Sequence, residues 1–519
     1  VTYLVDNTEM YFIPMINPDG YNHNQTTNAN GGGLWRKNKR DNLDGEFGVD
    51  LNRNYGFEWG YDNNGSSPTT SSQTYRGPSA FSEPETKAVK WLCEQNTFSF
   101  ALNYHAHGNY VIYPWGYITA PLTPDSSFFI RSAQLLTAEN SYIYGTGYET
   151  VGYAVNGDSD DWMYGEQTAK NKIFSMTPEV GTASDGFWPV SARIVPLSQE
   201  NVRPNMLLSH LAGMYVEMQD KSPATISSTS GVIDVDIERL GLQFDPNNSY
   251  TLEAISSNIV STSGSVTYTS MNIGDVISES FPFILDASIQ AGDEIVFGLK
   301  SSHTDFTSTQ EIVKVFGSPT VALSNPGENM DDFSSFNWSN TDEEFVSPSE
   351  SITDSPSAFY GNSSFNEIEY ERIIDMRNSL YGYLSFQAMW HIEGGWDYVQ
   401  LLASPVDQED WSPLCGLYTR EGTPNQDEGQ PLWDGLQSDW VAERVDLNDY
   451  AGQRIKVKFR LVSDQFVTYD GYYFDDLEFI TLHDASSGVP IDTGYIDSVV
   501  SVGQGISSVE AFSLFPNPA

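Results

Sequence analysis

Cysteine is almost absent. The 519-residue chain has two, Cys93 and Cys415, in segments that read as different domains. That argues against a structural disulfide, and neither has neighbours suited to thiol catalysis. Basic charge is scarce as well: 25 Lys and Arg stand against 70 Asp and Glu, a formal net charge of −45. Such a balance argues against nucleic acid or anionic membrane as a partner. It suits a salty extracellular setting or a cationic substrate. No apolar run reaches the roughly 18 residues needed to cross a bilayer. No signal-peptide pattern is present, and both ends read as cut.

What is present is aromatic and long. Hydrophobic residues make up 39%, with 12 Trp, 29 Tyr and 28 Phe, enough for folded domains and not for a disordered tail. A chain of this length exceeds one ordinary core, so two to four domains are expected. The stretch around which the first of them is organised is Asn103–Tyr117, NYHAHGNYVIYPWGY. A strand over Phe98–Tyr104 runs directly into His105 and His107. Histidine at the carboxyl end of a strand stands where α/β sheets keep their ligand sites, and neutral imidazole is the commonest metal ligand among side chains. A lone histidine there is more often an ordinary loop residue, so the context decides.

Seven segments supply that context: NPDGY (Asn17–Tyr21), LWRKN (Leu34–Asn38), DLNRNY (Asp50–Tyr55), YRGPSAFSEPET (Tyr75–Thr86), the His105 segment, GYAVNGDSDDWMYG (Gly152–Gly165) and FSMTPEVGT (Phe174–Thr182). In order and spacing they resemble the zinc carboxypeptidases, the carboxypeptidase A-like metallopeptidases, over about two fifths of the chain. The resemblance implies an α/β/α domain with a mixed central sheet at residues 1–218. It implies hydrolysis of the C-terminal peptide bond of peptides or proteins. His105, eight residues before Tyr113, takes the place of a zinc ligand, and His107 falls beside the cleft. Arg36 is implied to steady the oxyanion, and Asn52 with Arg53 to clamp the substrate carboxylate. Tyr153 is the tyrosine that covers bound substrate, and Glu179, just past a strand over Ile173–Met176, the general base. The chemistry agrees, because fixed positive charge belongs where negative charge develops and guanidinium meets carboxylate bidentately. By itself, Arg53 reads equally as a partner of Asp50 holding a loop. Asp158 and Asp160 match positions that receive a C-terminal Lys or Arg, which implies a basic preference unless these acids bind calcium or structural water.

The family's other two zinc ligands come from an HxxE motif upstream of NPDGY, and no HxxE occurs in this chain. Two of three protein ligands for the single Zn²⁺ are therefore expected to be missing, and the chain alone to be inactive. Local patterns fill in the rest of the domain. Tyr11–Ile16 reads as a buried strand stopped by an Asn17–Gly20 turn. A helix is expected from an N-cap at Ser82 through Gln95, another over Phe128–Asn140, a mobile loop over Gly145–Gly157, and a closing amphipathic helix over Ser198–Met218. Beyond it come a linker at 219–230, an immunoglobulin-like β-sandwich at 231–320, a separator at Pro326–Asp331, and a jelly-roll sandwich at 330–482 that resembles MAM domains. Ca²⁺ at Asp475 and Asp476 is one reading of its DGYYFDDLEF ending; plain surface acids are the other. Residues 483–519 read as a linker and the start of a sorting domain like those of type IX secretion cargo, which implies that machinery as partner and a secreted or cell-surface location. Two further readings stay open, an amidase acting on cell-wall peptides and a non-catalytic adhesion protein.

Overall fold

A computed structural model describes residues 1–483 apart from Ser141 and Asp305. The expected tail and sorting segment, from residue 484 on, lie outside the described residues. Three units follow one another along the chain.

The first is built on a mixed four-stranded sheet. Its strands are β1 (Phe100–Leu102), β2 (Tyr110–Ile112), β3 (Ile143–Gly145) and β4 (Phe174–Glu179), in the order β1-β4-β2-β3. β4 is parallel to β1 and antiparallel to β2, while β2 and β3 are parallel. Successive residues of a strand face opposite sides, and β4 uses both. Phe174 and Met176 pack with Phe128, Phe129 and Ala133 of the Ser126–Thr137 helix and with Leu207 and Leu211 of the Val202–Leu211 helix. On the other side, Ser175 and Thr177 meet the Ser159–Gly165 helix through Asp160. Helices on both faces make the expected three layers. The Pro84–Gln95 helix joins Trp162 and Ile173 in a second apolar cluster through Val89 and Cys93.

Several local expectations change. Tyr11–Ile16 is exposed and irregular, with Phe12 79% exposed, because no described strand lies alongside to take its backbone hydrogen bonds. Asn17 does not close a turn. It caps the Pro18–Thr27 helix, its Oδ1 accepting from Gly20 N–H at 2.9 Å with Pro18 in the first turn. The N-cap of the Pro84–Gln95 helix is Glu83; Ser82 spends its hydroxyl on Glu83 Oε1. Gly145–Gly157 contains a short Gly147–Thr150 helix closed by a Thr146/Glu149 capping box. The closing helix stops at Leu211. Gly213 follows, and Val216–Asp220 is already a strand of the next unit, with Met218 in that unit's core.

That unit is a two-sheet sandwich. One sheet orders Val216–Asp220, Ser230–Arg239, Val276–Leu285 and Ile259–Thr262. The other orders Ser265–Val266, Ser249–Ala254, Glu294–His303, Phe306–Phe316 and Thr225–Ile226. Alternation builds the core: Ile233, Val235 and Ile237 are fully buried between outward Asp234 and Asp236. Each such side chain contributes about 1.5–3 kcal/mol of burial. The expected linker at 219–230 is thus interrupted by strand: it holds the end of Val216–Asp220, the short Thr225–Ile226 strand and the first residue of Ser230–Arg239. The third unit is also a two-sheet sandwich, around Phe386, Trp433, Phe459, Tyr472 and Phe474. It starts earlier than expected: Thr320–Asn325 pairs with Gly471–His483, so the separator at Pro326 falls inside the unit.

Candidate active site

The pairing of β1 with β4 is what makes a site. Register carries past the strand ends: His105 N–H donates to Pro178 O at 2.9 Å and Val180 N–H to His105 O at 3.0 Å. His105 and Glu179, 74 positions apart in sequence, therefore stand side by side, Nδ1 to Oε1 at 3.9 Å. Glu179 is the last residue of β4, not a residue beyond it. Burial pushes its carboxyl up to about 7, with Arg36 pulling down and Asp160 adding to the rise. Its Oε2 is shut off from solvent without a hydrogen-bond partner. The His105 side chain keeps 34% exposure, yet its local desolvation, with Arg36 next in importance, lowers its pKa to about 4. The imidazole is neutral at ordinary pH, as a metal donor must be.

Arg36 is held from two directions. Asn17 Nδ2 donates to Arg36 O at 2.9 Å and to Lys37 O at 3.1 Å, so the helix cap positions the backbone. Gly20 leaves room for this, since a Cβ there would approach Lys37 O to 2.8 Å. At the other end the guanidinium meets Asp50 Oδ2 at 2.8 Å. Asp50 also caps the Leu51–Arg53 turn and lies 3.8 Å from the Arg53 guanidinium. One buried carboxylate thus orients two cations, a role of Asp50 toward Arg36 that motif reading missed. Arg53 donates from Nε to Gly65 O at 2.8 Å and from Nη1 to Asn52 O at 2.9 Å. Asn52 Oδ1 accepts from Ser159 N–H at 3.0 Å, tying this turn to the acidic helix.

Arg36, Arg53 and Tyr153 come together with Asn64, Gly65, Thr74 and Ala154 around an open cavity of about 240 Å³. Tyr153 stands 52% exposed at its rim. His107 is elsewhere, its ring 4.7 Å from that of Phe187. Asp158, Asp160 and Asp161 are all buried. Asp158 caps its helix by accepting from Asp161 N–H at 2.8 Å, and Asp161 accepts from the amides of Gly116 and Tyr117. Asp160 accepts from Asn103 Nδ2, Ser175 Oγ and Thr177 Oγ1 at 2.5–2.7 Å. The two acids matched to cation binding are therefore unlike: Asp160 is saturated, while Asp158 Oδ2 is buried without a partner.

Two stretches of the chain are similar to known protein families. Residues 1–203 match the zinc carboxypeptidase family. The chain carries a zinc carboxypeptidase domain. Residues 321–484 match the immune inhibitor A-like MAM domain, so the third unit is of MAM type. Zinc carboxypeptidase A 1 of Drosophila melanogaster is 35% identical over 225 residues, 42% of this chain and 49% of that protein. Metallocarboxypeptidase A of Trichophyton rubrum is 31% identical over 213 residues, 39% and 48% respectively. The chain thus spans about half the length of the curated relatives it matches. Bovine thrombin-activatable fibrinolysis inhibitor, solved with tick carboxypeptidase inhibitor, is 25% identical over 40% of this chain and 70% of its own, with a TM-score of 0.36.

The family implies zinc, and the donors here fit it only in part. His105 is a neutral imidazole at a sheet end, but a catalytic zinc takes three protein ligands. The group of three donors that converge among the described residues does not include His105. Among the described residues, no second and third donor converges with His105. Calcium at Asp475 fits no better, because its carboxylate already accepts from the amides of Val346, Ser347 and Asp476.

Proposed function

We propose that the domain is the substrate-binding and proton-transfer half of a secreted carboxypeptidase that prefers basic C-terminal residues. The observation that carries this reading is the pairing of Glu179 with His105 under the charge of Arg36, beside the cavity that Arg36, Arg53 and Tyr153 line. A carboxyl raised to about 7 is well matched to take a proton from attacking water near neutral pH and to pass it to the leaving amine. Arg36, half exposed and anchored by Asp50, faces the oxyanion. Nε and Nη1 of Arg53 are engaged, which leaves Nη2 and the Asn52 amide for the substrate carboxylate. Asp158 Oδ2, rather than Asp160, is the acceptor for a C-terminal cation. The acidic surface and the lack of any helix long and apolar enough to cross a membrane, among the described residues, are compatible with secretion.

The test uses the domain joined to an HxxE-bearing segment, with zinc, on peptides that differ only in a final Arg or Phe. Release of Arg exceeds release of Phe and stops with a chelator, and Glu179→Gln lowers turnover by about 10²–10⁴-fold with peptide binding retained. Full turnover in Glu179→Gln would overturn the assignment. Preferred release of Phe would remove Asp158 from its role.

A further inference from the structure

Away from the catalytic residues, three carboxylates of the MAM-type unit converge: Glu393, Asp397 and Asp464, with one oxygen from each within 4.8 Å of the other two. The register of the sheet brings them together. Tyr398 pairs with Val462, so the residues flanking the two strands meet, and Asp464 N–H donates to Asp397 Oδ1 at 2.6 Å. Glu393 follows directly on the Ser379–Ile392 strand and reaches the same point through the Gly394–Trp396 turn. Asp397 is fully buried. Its Oδ2 and the Oε2 of Glu393 are cut off from solvent and meet no donor at bonding geometry. The Tyr360 hydroxyl accepts from Glu393 N–H at 3.0 Å and directs its own proton toward the Asp397 carboxylate.

The neighbouring charges are negative. Burial, then Asp397 and Asp464, push the Glu393 carboxyl up to about 7, and burial also raises Asp397. Buried oxygens of this kind are costly unless a countercharge sits among them. An all-oxygen donor set with no imidazole or thiolate selects a hard cation, and a carboxylate-rich loop site of adjustable geometry favours calcium over the smaller, strictly octahedral magnesium.

We propose that Glu393, Asp397 and Asp464 bind one calcium ion, which fixes the Gly394–Trp396 turn against the carboxypeptidase domain. That turn is the contact: a Cβ on Gly394 would lie 3.4 Å from Ile143 Cγ1, and one on Gly395 2.7 Å from Ile143 Cδ1. Ile143 opens β3, whose neighbour β2 pairs Tyr110 with Glu179. The ion therefore braces the loop on which the catalytic sheet's edge strand rests.

The experiment titrates CaCl₂ into the chelator-stripped chain by calorimetry and follows the melting temperature and the proteolysis of the 393–397 turn. One Ca²⁺ per chain is expected, with a Kd of about 10⁻³ M or tighter, a raised melting temperature and slower cleavage, and little response to MgCl₂. Glu393→Gln and Asp464→Asn each weaken binding by about tenfold or more. Without calcium, Glu393→Gln melts at or above the parent chain, since it removes like-charge repulsion. The proposal is overturned by an absence of heat and of any melting shift up to about 10⁻² M Ca²⁺, or by unchanged binding in the two variants. It is equally overturned if calcium-free Glu393→Gln melts well below the parent, which would mean that protons and hydrogen bonds already satisfy the cluster.

Discussion

Asp158→Asn isolates what a partnerless buried acid does to this domain. Asp158 is 6% exposed, its Oδ1 caps a helix, and its Oδ2 has no partner. Burial foremost, then Asp160, raises its carboxyl from 3.8 to about 7, against the pull of the Asp161 amide and Arg53. Between about pH 4 and 7 the folded chain holds a proton that the unfolded chain has released, so this group's contribution to stability falls as pH rises through that window. At 1.36 kcal/mol per pH unit the full rise corresponds to roughly 4 kcal/mol, and sharing of the proton with Asp160 and Asp161 brings the expected effect to about 2–4 kcal/mol. Asparagine keeps the capping oxygen and caps about as well as aspartate. The variant is thus expected to match the parent near pH 4 and to exceed it above pH 7, by about 5–15 °C in the melting transition of a domain this size. Scanning calorimetry across that range reads it. A stability difference that does not change with pH, or a variant less stable at high pH, would refute the reasoning. On the role proposed for Asp158, the same substitution in the zinc-competent protein should erase any preference for C-terminal Arg over Phe, a gain in stability at the expense of function.

Two other outcomes follow from burial. Ile237→Ala, at a fully buried position of the first sandwich, should cost about 2–5 kcal/mol and lower that unit's calorimetric transition while leaving the MAM-type unit's unchanged. A thiol reagent near neutral pH should titrate the exposed Cys415 quickly. Cys93 is buried with its thiol pushed up to about 11, so it should react only on unfolding, and two fast thiols would contradict the placement of the Pro84–Gln95 helix.

What could be read from sequence, and what could not, divides along physical lines. His105 and Glu179 were legible through the motifs around them, which are local patterns: His105 lies three residues past β1 and Glu179 ends β4. Their adjacency was not, because it comes from the parallel register of β1 and β4, which no spacing encodes. Spacing alone made Asp158 and Asp160 equivalents; hydrogen bonding separates them, since the partners of Asp160 sit on β4 and at Asn103. Asp50 looked like a local partner of Arg53, and its shorter ion pair goes to Arg36, 14 residues upstream. Boundary errors share one cause. Ser- and Thr-rich segments were read as linkers, and apolar runs at Tyr11–Ile16 and Met214–Met218 as strand and helix, whereas the presence or absence of a neighbouring strand decided each. The same reasoning explains why Glu393, Asp397 and Asp464 pass unnoticed in a chain with 70 acids. A surplus of carboxylates hides the few whose charge matters, and only burial distinguishes an acid that keeps the chain soluble from one that requires a cation.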